Sequence, residues 1–85
     1  MAKIRISDLG QGQHPSEVLI GVTTDRGQET LIVDRRSIRN NTLDVGFPVG
    51  ETGEYFLIEL PRETMSGEWR VLVPKSTLIE QEVAA

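Results

Sequence analysis

The chain has 85 residues, of which 38% are hydrophobic and 26% are charged, and its formal net charge at pH 7 is −4. A chain of this length forms one small domain with a modest core, and an acidic total does not suit general binding to a phosphate backbone. Because the chain has no cysteine, disulfides and thiolate chemistry are excluded. No apolar run is as long as a signal peptide core or a membrane span, so we expect a soluble, cytoplasmic protein without a membrane partner.

The first two predicted features are a strand and a loop. In Lys3–Ser7, Ile4 and Ile6 alternate with polar residues, as in a strand with one buried face. Asp8–Glu17 is rich in Gly and Gln, which predicts a loop. His14, the only histidine, lies in this loop with no second His and no Cys to share a metal ion. We interpret it as a solvent-exposed residue without a catalytic role.

A β-hairpin is predicted next, because Val18–Thr24 and Glu29–Asp34 are strand-like runs on either side of a turn. The tripeptide Asp25-Arg26-Gly27 suits a three-residue loop with Gly27 in the left-handed conformation. The apolar pattern favours a two-residue loop instead, which would place Val18, Ile20 and Val22 opposite Arg35, Val33 and Leu31. The residues alone leave this register open.

The middle of the chain allows two interpretations. Arg35–Asn41 could form one helical turn capped by Asp34, or it could continue as a strand into an Asn-Asn turn. Thr42–Gly53 contains three Gly and Pro48 between alternating apolar residues. This composition predicts a short, bent or edge strand, because Pro cannot donate to a central ladder.

The strongest signal is a long-looped hairpin made of Tyr55–Leu60 and Trp69–Val73. One register keeps apolar residues together on the core face and avoids placing a charge there. We expect Trp69 to lie in the core. The predicted pairs are Leu60 with Trp69, Ile58 with Val71 and Phe56 with Val73 on the core face, and Glu59 with Arg70 and Leu57 with Leu72 on the other face.

The last segment, Lys75–Val83, is predicted to form a turn and a short strand or frayed helix, followed by a disordered tail at residues 84–85. Together the elements predict an all-β fold in one domain over residues 1–83. We expect a small β-barrel or sandwich of five to six short antiparallel strands, with at most one or two short helical turns.

A short motif resembles a known family. The segment Val73-Pro74-Lys75-Ser76-Thr77-Leu78-Ile79 is similar to the last turn of Src-homology-3-like barrels. The resemblance implies a tight helical turn that leads into the closing strand. The aromatic groove with which such domains bind Pro-rich peptides has no visible counterpart in this sequence, so that ligand class is not implied.

Two groups of residues are candidate binding sites. Tyr55, Leu57 and Leu72 share the face of the long hairpin opposite the predicted core. If the sheet closes into a barrel, they form an exposed apolar stripe of the kind that marks an interface; packing beneath Asp8–Glu17 is the alternative. The second group, Arg35, Arg36 and Arg39, could bind a phosphate or an acidic partner, or it could lie in a solvated turn or pair within the chain.

These observations favour a non-enzymatic binding or assembly module that contacts a protein partner or a second copy of itself. Nucleic-acid or phosphate binding through the arginine group is the first alternative, and a small enzyme or enzyme subunit is the second. We expect no catalytic residues, no metal and no cofactor, because the sequence contains no motif for them.

Overall fold

The computed structural model describes residues 2–80 and is all-β, with two short 3-10 turns at Arg35–Ser37 and Lys75–Thr77. Within residues 2–80, ten strands replace the five to six that were predicted, because part of the predicted loop is a strand, Arg35–Asn41 contains a short one, and the predicted strand in residues 42–53 is two strands. The strands are β1 (Ala2–Arg5), β2 (Ser7–Gln11), β3 (Glu17–Thr24), β4 (Gly27–Asp34), β5 (Ile38–Arg39), β6 (Thr42–Val45), β7 (Gly50–Thr52), β8 (Tyr55–Glu59), β9 (Arg70–Pro74) and β10 (Leu78–Glu80).

The strands form three antiparallel sheets, with the orders β10-β1-β6-β5, β2-β3-β4 and β7-β8-β9. Residues 2–80 form no closed barrel. One aliphatic core joins the three sheets. Its buried members are Ala2, Ile4, Ile6, Val18, Ile20, Val22, Leu31, Val33, Leu43, Val45, Ile58, Leu60, Val71 and Val73. Across residues 2–80, no helix has the length and apolar character needed to cross a membrane.

The N-terminal strand has the predicted alternation, with Ile4 and Ile6 buried and Arg5 exposed. The predicted loop is wrong in its first part, because Ser7–Gln11 is β2 and pairs with β3. A bulge between Asp8 and Gly10 interrupts this pairing, and the Asp8 carboxylate accepts the Gly10 N–H at 3.0 Å. Local composition favoured a loop, whereas the edge of β3 supplies the partner that makes a strand.

The β3–β4 register combines both predicted rules and matches neither alignment. Thr24 pairs with Gly27, so the loop is Asp25–Arg26, and Gly27 has the left-handed φ of 107°. The Thr24 hydroxyl donates to the Gly27 carbonyl at 2.7 Å and accepts the Arg26 N–H at 3.1 Å. These bonds favour the turn at this position. Val18 and Ile20 consequently lie opposite Val33 and Leu31.

Both interpretations of Arg35–Asn41 hold, one after the other. The Asp34 carboxylate accepts the Arg36 N–H at 2.9 Å and caps the 3-10 turn. The chain then forms β5 and turns at Asn40 and Asn41, whose φ values are 52° and 59°. Such values suit Asn, which tolerates the left-handed region.

The predicted single strand in Thr42–Gly53 is two strands in two sheets. β6 lies between β1 and β5 and is therefore not an edge, whereas β7 is an edge of its sheet. The irregular segment 46–49 separates them. It contains Gly46 and Pro48, which weaken or prevent ladder pairing.

The β8–β9 register is confirmed at every predicted pair within the two strands, and the Leu60 N–H donates to the Trp69 carbonyl at 2.7 Å. The predicted burial of Trp69 is wrong, since its side chain is 45% exposed. Trp69 precedes the first residue of β9, so the strand pleat does not impose its direction. The Arg70 guanidinium instead lies over the indole, 4.5 Å from its centroid.

The predicted final turn and strand are present as the 3-10 turn Lys75–Thr77 and β10. β10 pairs with β1, so the first and last described strands are neighbours. The predicted continuation to Val83 and the disordered tail at residues 84–85 lie outside the described residues.

Candidate functional site

The outer face of β8 and β9, opposite the buried Ile58 and Val73, brings three predicted binding residues together. Leu57 lies directly opposite Leu72, and Tyr55 lies two pairs further along, opposite Pro74. All three predicted side chains are half-buried. We call Tyr55, Leu57 and Leu72 the outer stripe. It is contiguous because residues two apart in a strand share a face.

Charged and aromatic groups extend the outer stripe at one end. The Arg70 Nε donates to the Glu59 carboxylate at 3.2 Å, across the two strands. The same guanidinium covers the Trp69 ring, a cation–π contact. The indole therefore lies beside the Glu59–Arg70 pair.

A cleft of about 430 Å³ lies beside the outer stripe. The turn of the β3–β4 hairpin forms one wall, and the Asp25 N–H donates to the Leu72 carbonyl at 3.0 Å. This turn, which no sequence interpretation placed here, therefore borders the stripe. The cleft is lined by Thr24, Asp25, Arg26, Glu29, Leu57, Ser66, Glu68, Arg70, Val71 and Leu72.

The cleft lining carries charges of both signs around an apolar patch. Arg26 has no carboxylate within ion-pair distance among residues 2–80, whereas Arg70 is paired with Glu59. Leu57 and Leu72 supply aliphatic surface to the same lining. Aliphatic and aromatic surface with Arg at its margin is typical of protein contacts.

Glu29 is a lining residue to which the sequence analysis gave no role. It lies on the same face of β4 as the buried Leu31 and Val33, opposite Val22. Its Oε1 accepts hydrogen bonds from the Thr64 hydroxyl at 2.9 Å and from the Ser66 hydroxyl. These bonds, the Ser66 bond foremost, lower the pKa of Glu29. The available signal in the sequence was a carboxylate on the face of β4 where Leu31 and Val33 are buried.

The predicted arginine group is divided among different partners. Arg35 donates to the Pro15 carbonyl at 3.3 Å and to the Glu17 carbonyl at 3.5 Å. Arg36 pairs with Asp34 at 3.3 Å, and its hydrogen bond lowers the pKa of Asp34. Arg39 is exposed on β5. Arg35 and Arg36 are therefore already engaged within the chain.

Other polar residues have local roles. His14 is exposed, as the sequence analysis predicted. Glu51 bonds the Lys75 ammonium at 2.5 Å. Residues 2–80 contain no group of three or more His, Cys, Asp or Glu side chains that could hold a metal ion.

A second apolar surface lies beside the edge strand β7. Phe47 is 66% exposed, and Val49 is exposed two residues further on. Both belong to the irregular segment 46–49, and the Val49 N–H donates to the Leu57 carbonyl at 2.9 Å. The segment therefore runs alongside β8 but does not contribute to the cleft lining.

The fold and the surface together define a small all-β protein whose cleft is lined by both apolar and charged residues. No protein-family model, no curated protein sequence and no solved structure matches the chain. Its function must therefore be inferred from the geometry of its own residues.

Proposed function

We propose that the chain is a non-enzymatic binding module that contacts a protein partner, or a second copy of itself, through the outer stripe and the adjoining cleft. The observation that carries this proposal is the direct juxtaposition of Leu57 and Leu72 beside a cleft of about 430 Å³. Tyr55 extends the same apolar surface along β8.

The composition of this surface supports the proposal. Tyr, Trp and Arg are the residues most often found to dominate binding energy at protein interfaces. Tyr55, Trp69 and Arg70 lie on or beside the outer stripe, and Arg70 is held between Glu59 and the indole. A side chain held in this way loses less rotamer freedom on binding.

The proposal includes a relation to Src-homology-3-like barrels. β9, the 3-10 turn Lys75–Thr77 and β10 follow one another in the order that the resemblance implies. We propose that the chain is an open, three-sheet variant of such a barrel that uses a different surface for binding. The proposed location is the cytoplasm.

Tyr55→Ala tests the binding surface. We expect a loss of affinity of about thirtyfold, since truncating a buried interface Tyr can cost about 2 kcal/mol. The unfolding midpoint should change little, because Tyr55 lies on the face opposite the core. Light scattering over a concentration series measures self-association, and capture from native lysate measures partner binding.

Two controls separate the alternatives. Phe47→Ala removes a more exposed aromatic ring outside the cleft lining, so association should remain at the wild-type level. Charge reversal at Arg35 and Arg36 should have a smaller effect than Tyr55→Ala. If charge reversal instead abolishes binding that falls steeply with salt, nucleic acid is the partner. If Tyr55→Ala mainly unfolds the chain, the interface proposal is wrong.

A further inference from the structure

Residues 61–68, which we call the strap, connect β8 to β9 by way of the free edge of β4. The Met65 N–H donates to the Thr30 carbonyl at 2.8 Å. Earlier in the strap, the Arg62 guanidinium bonds the Glu17 carboxylate at 3.4 Å. Since the other edge of β4 pairs with β3, the strap shields backbone groups that would otherwise be available to another strand.

The strap is not held in place by apolar burial. Thr64 is its only buried residue, with 5% of its surface exposed, whereas Met65 is 64% exposed. Segments with few buried apolar contacts have low local stability and open separately from the core. The hold on the strap must therefore come from its polar contacts.

Besides the Met65–Thr30 and Arg62–Glu17 contacts, two side-chain hydrogen bonds of the strap go to Glu29. The hydroxyls of Thr64 and Ser66 both donate to its Oε1. The Thr64 hydroxyl also accepts the Glu68 N–H at 3.1 Å, which closes the strap on itself. The other charged groups that line the cleft with Glu29 are Asp25, Arg26, Glu68 and Arg70. The Glu29 carboxylate is the point at which the two hydroxyls of the strap meet β4.

We propose that the strap opens as a local unit when its bonds to Glu29 are broken, and that its opening uncovers the edge of β4 at Thr30 and one wall of the cleft. Ser66 and Glu68 belong to both the strap and the cleft lining, so opening changes the shape of the binding surface. The proposal rests on the proposed function, because it concerns access to the proposed binding cleft. Its test requires no ligand, so the two can fail separately.

Native-state hydrogen exchange of the wild-type chain is the first test. The Met65 amide reports on the strap, and the amide of Leu31, whose side chain is fully buried, reports on the core. We expect Met65 to exchange at least about tenfold faster than Leu31, through an opening that is insensitive to low denaturant. Equal rates with equal denaturant dependence would show that the strap opens only when the whole chain unfolds.

Glu29→Gln is the second test, because it removes the charge and nearly preserves the shape. The Met65 exchange rate should rise about tenfold, since hydrogen bonds to a charged acceptor are the stronger ones. Glu63→Gln is the matched control in the strap, where no hydrogen bond or ion pair of the Glu63 side chain occurs within residues 2–80. It should leave the rate unchanged.

The remaining outcomes overturn the proposal. If Glu29→Gln and Glu63→Gln behave alike, Glu29 does not hold the strap. If Glu29→Gln accelerates Leu31 as much as Met65, Glu29 stabilises the whole hairpin instead. Should Glu29→Gln fail to fold, Thr64→Val removes one of the two hydroxyls from the strap side and gives the same comparison.

Discussion

The β3–β4 and β8–β9 hairpins reach their registers by different means. In β3–β4, two eight-residue strands meet at a two-residue turn, and the Thr24 hydroxyl accepts the Arg26 N–H within that turn and donates to the Gly27 carbonyl after it. In β8–β9, the strap separates the strands, and the pairing follows the alternation of side chains. The hydrogen bonds of the turn set the register of β3–β4, whereas the alternation of apolar and polar side chains sets the register of β8–β9.

This difference explains which register could be predicted. A shift of one residue moves every side chain to the other face, so an apolar pattern excludes it. A shift of two residues keeps the faces, so the pattern of β3–β4 could not distinguish the Val18–Val33 pair from the predicted Val18–Arg35 pair. In β8–β9 such a shift would place Glu59 opposite Glu68, which the charges disfavour.

The largest expected effect comes from truncating one core residue in each hairpin. Leu31 in β4 and Ile58 in β8 are fully buried in the shared core. We expect Leu31→Ala and Ile58→Ala each to lower the free energy of unfolding by about 2–5 kcal/mol, measured by urea denaturation. Leu9→Ala, at an exposed position, should cost much less. A small loss at Leu31 or Ile58 would show that its hairpin does not contribute to a common core.

The next effect tests the turn that aligns β3–β4. Gly27 has a φ of 107°, and a side chain in the left-handed region costs roughly 1–2 kcal/mol. Gly27→Ala should therefore destabilise the chain by about that amount in urea denaturation. Gly46→Ala is the control, because a Cβ there meets no atom within 4 Å and its φ is not positive. Equal stability of the two variants would contradict the role of this turn.

Gly67→Ala extends the test to the strap. Gly67 has a φ of 90° and lies between Ser66 and Glu68. The backbone strain should resemble that at Gly27, but it falls in a segment that we propose opens locally. We expect a smaller loss of global stability than for Gly27→Ala and faster exchange at the Met65 amide. A global loss as large as that of Gly27→Ala would contradict local opening.

Acid should weaken the β3–β4 side of the molecule. The pKa of Glu29 is lowered mainly by the Ser66 hydroxyl, and the pKa of Asp34 mainly by Arg36. Both carboxyls bind protons less readily in the folded chain. Their contribution is therefore present above the unfolded pKa values of about 4.3 and 3.9, and it is lost as pH falls through the lower folded values.

Urea midpoints between pH 7 and pH 3 measure this dependence. Glu29→Gln should flatten part of the decline, because the variant has no titrating group at that position. An unchanged pH dependence in the variant would show that Glu29 is not linked to folding.

The smallest effect concerns the confirmed pair in β8–β9. A double-mutant cycle of Glu59→Ala and Arg70→Ala should show a favourable coupling of about 0.2–1 kcal/mol. The coupling should shrink with added salt, because both side chains are partly exposed. Since Arg70 also covers Trp69, the fluorescence of the single Trp should change more in Arg70→Ala than in Glu59→Ala. An unfavourable coupling would mean that the charges do not help to select the register.

Local alternation was enough to predict the all-β class, the faces of the strands and the β8–β9 register. It also placed Tyr55, Leu57 and Leu72 on one face, as the structure does. These properties follow from the two-residue period of a strand, which can be recognised from residues that are close together in the sequence. Likewise, Asn40 and Asn41 indicated their turn through their own tolerance of positive φ.

The tertiary structure alone decided the features that depend on a distant partner. Ser7–Gln11 is a strand because β3 offers an edge, and Trp69 is partly exposed because it lies before the first residue of β9, where the pleat does not direct its side chain into the core. The cleft exists because the turn at Asp25 meets Leu72, and Glu29 can lie beside the core because Thr64 and Ser66 reach it from the strap. A sequence shows which groups need a hydrogen-bond partner, but the packing of segments that are distant in sequence determines which residue becomes that partner.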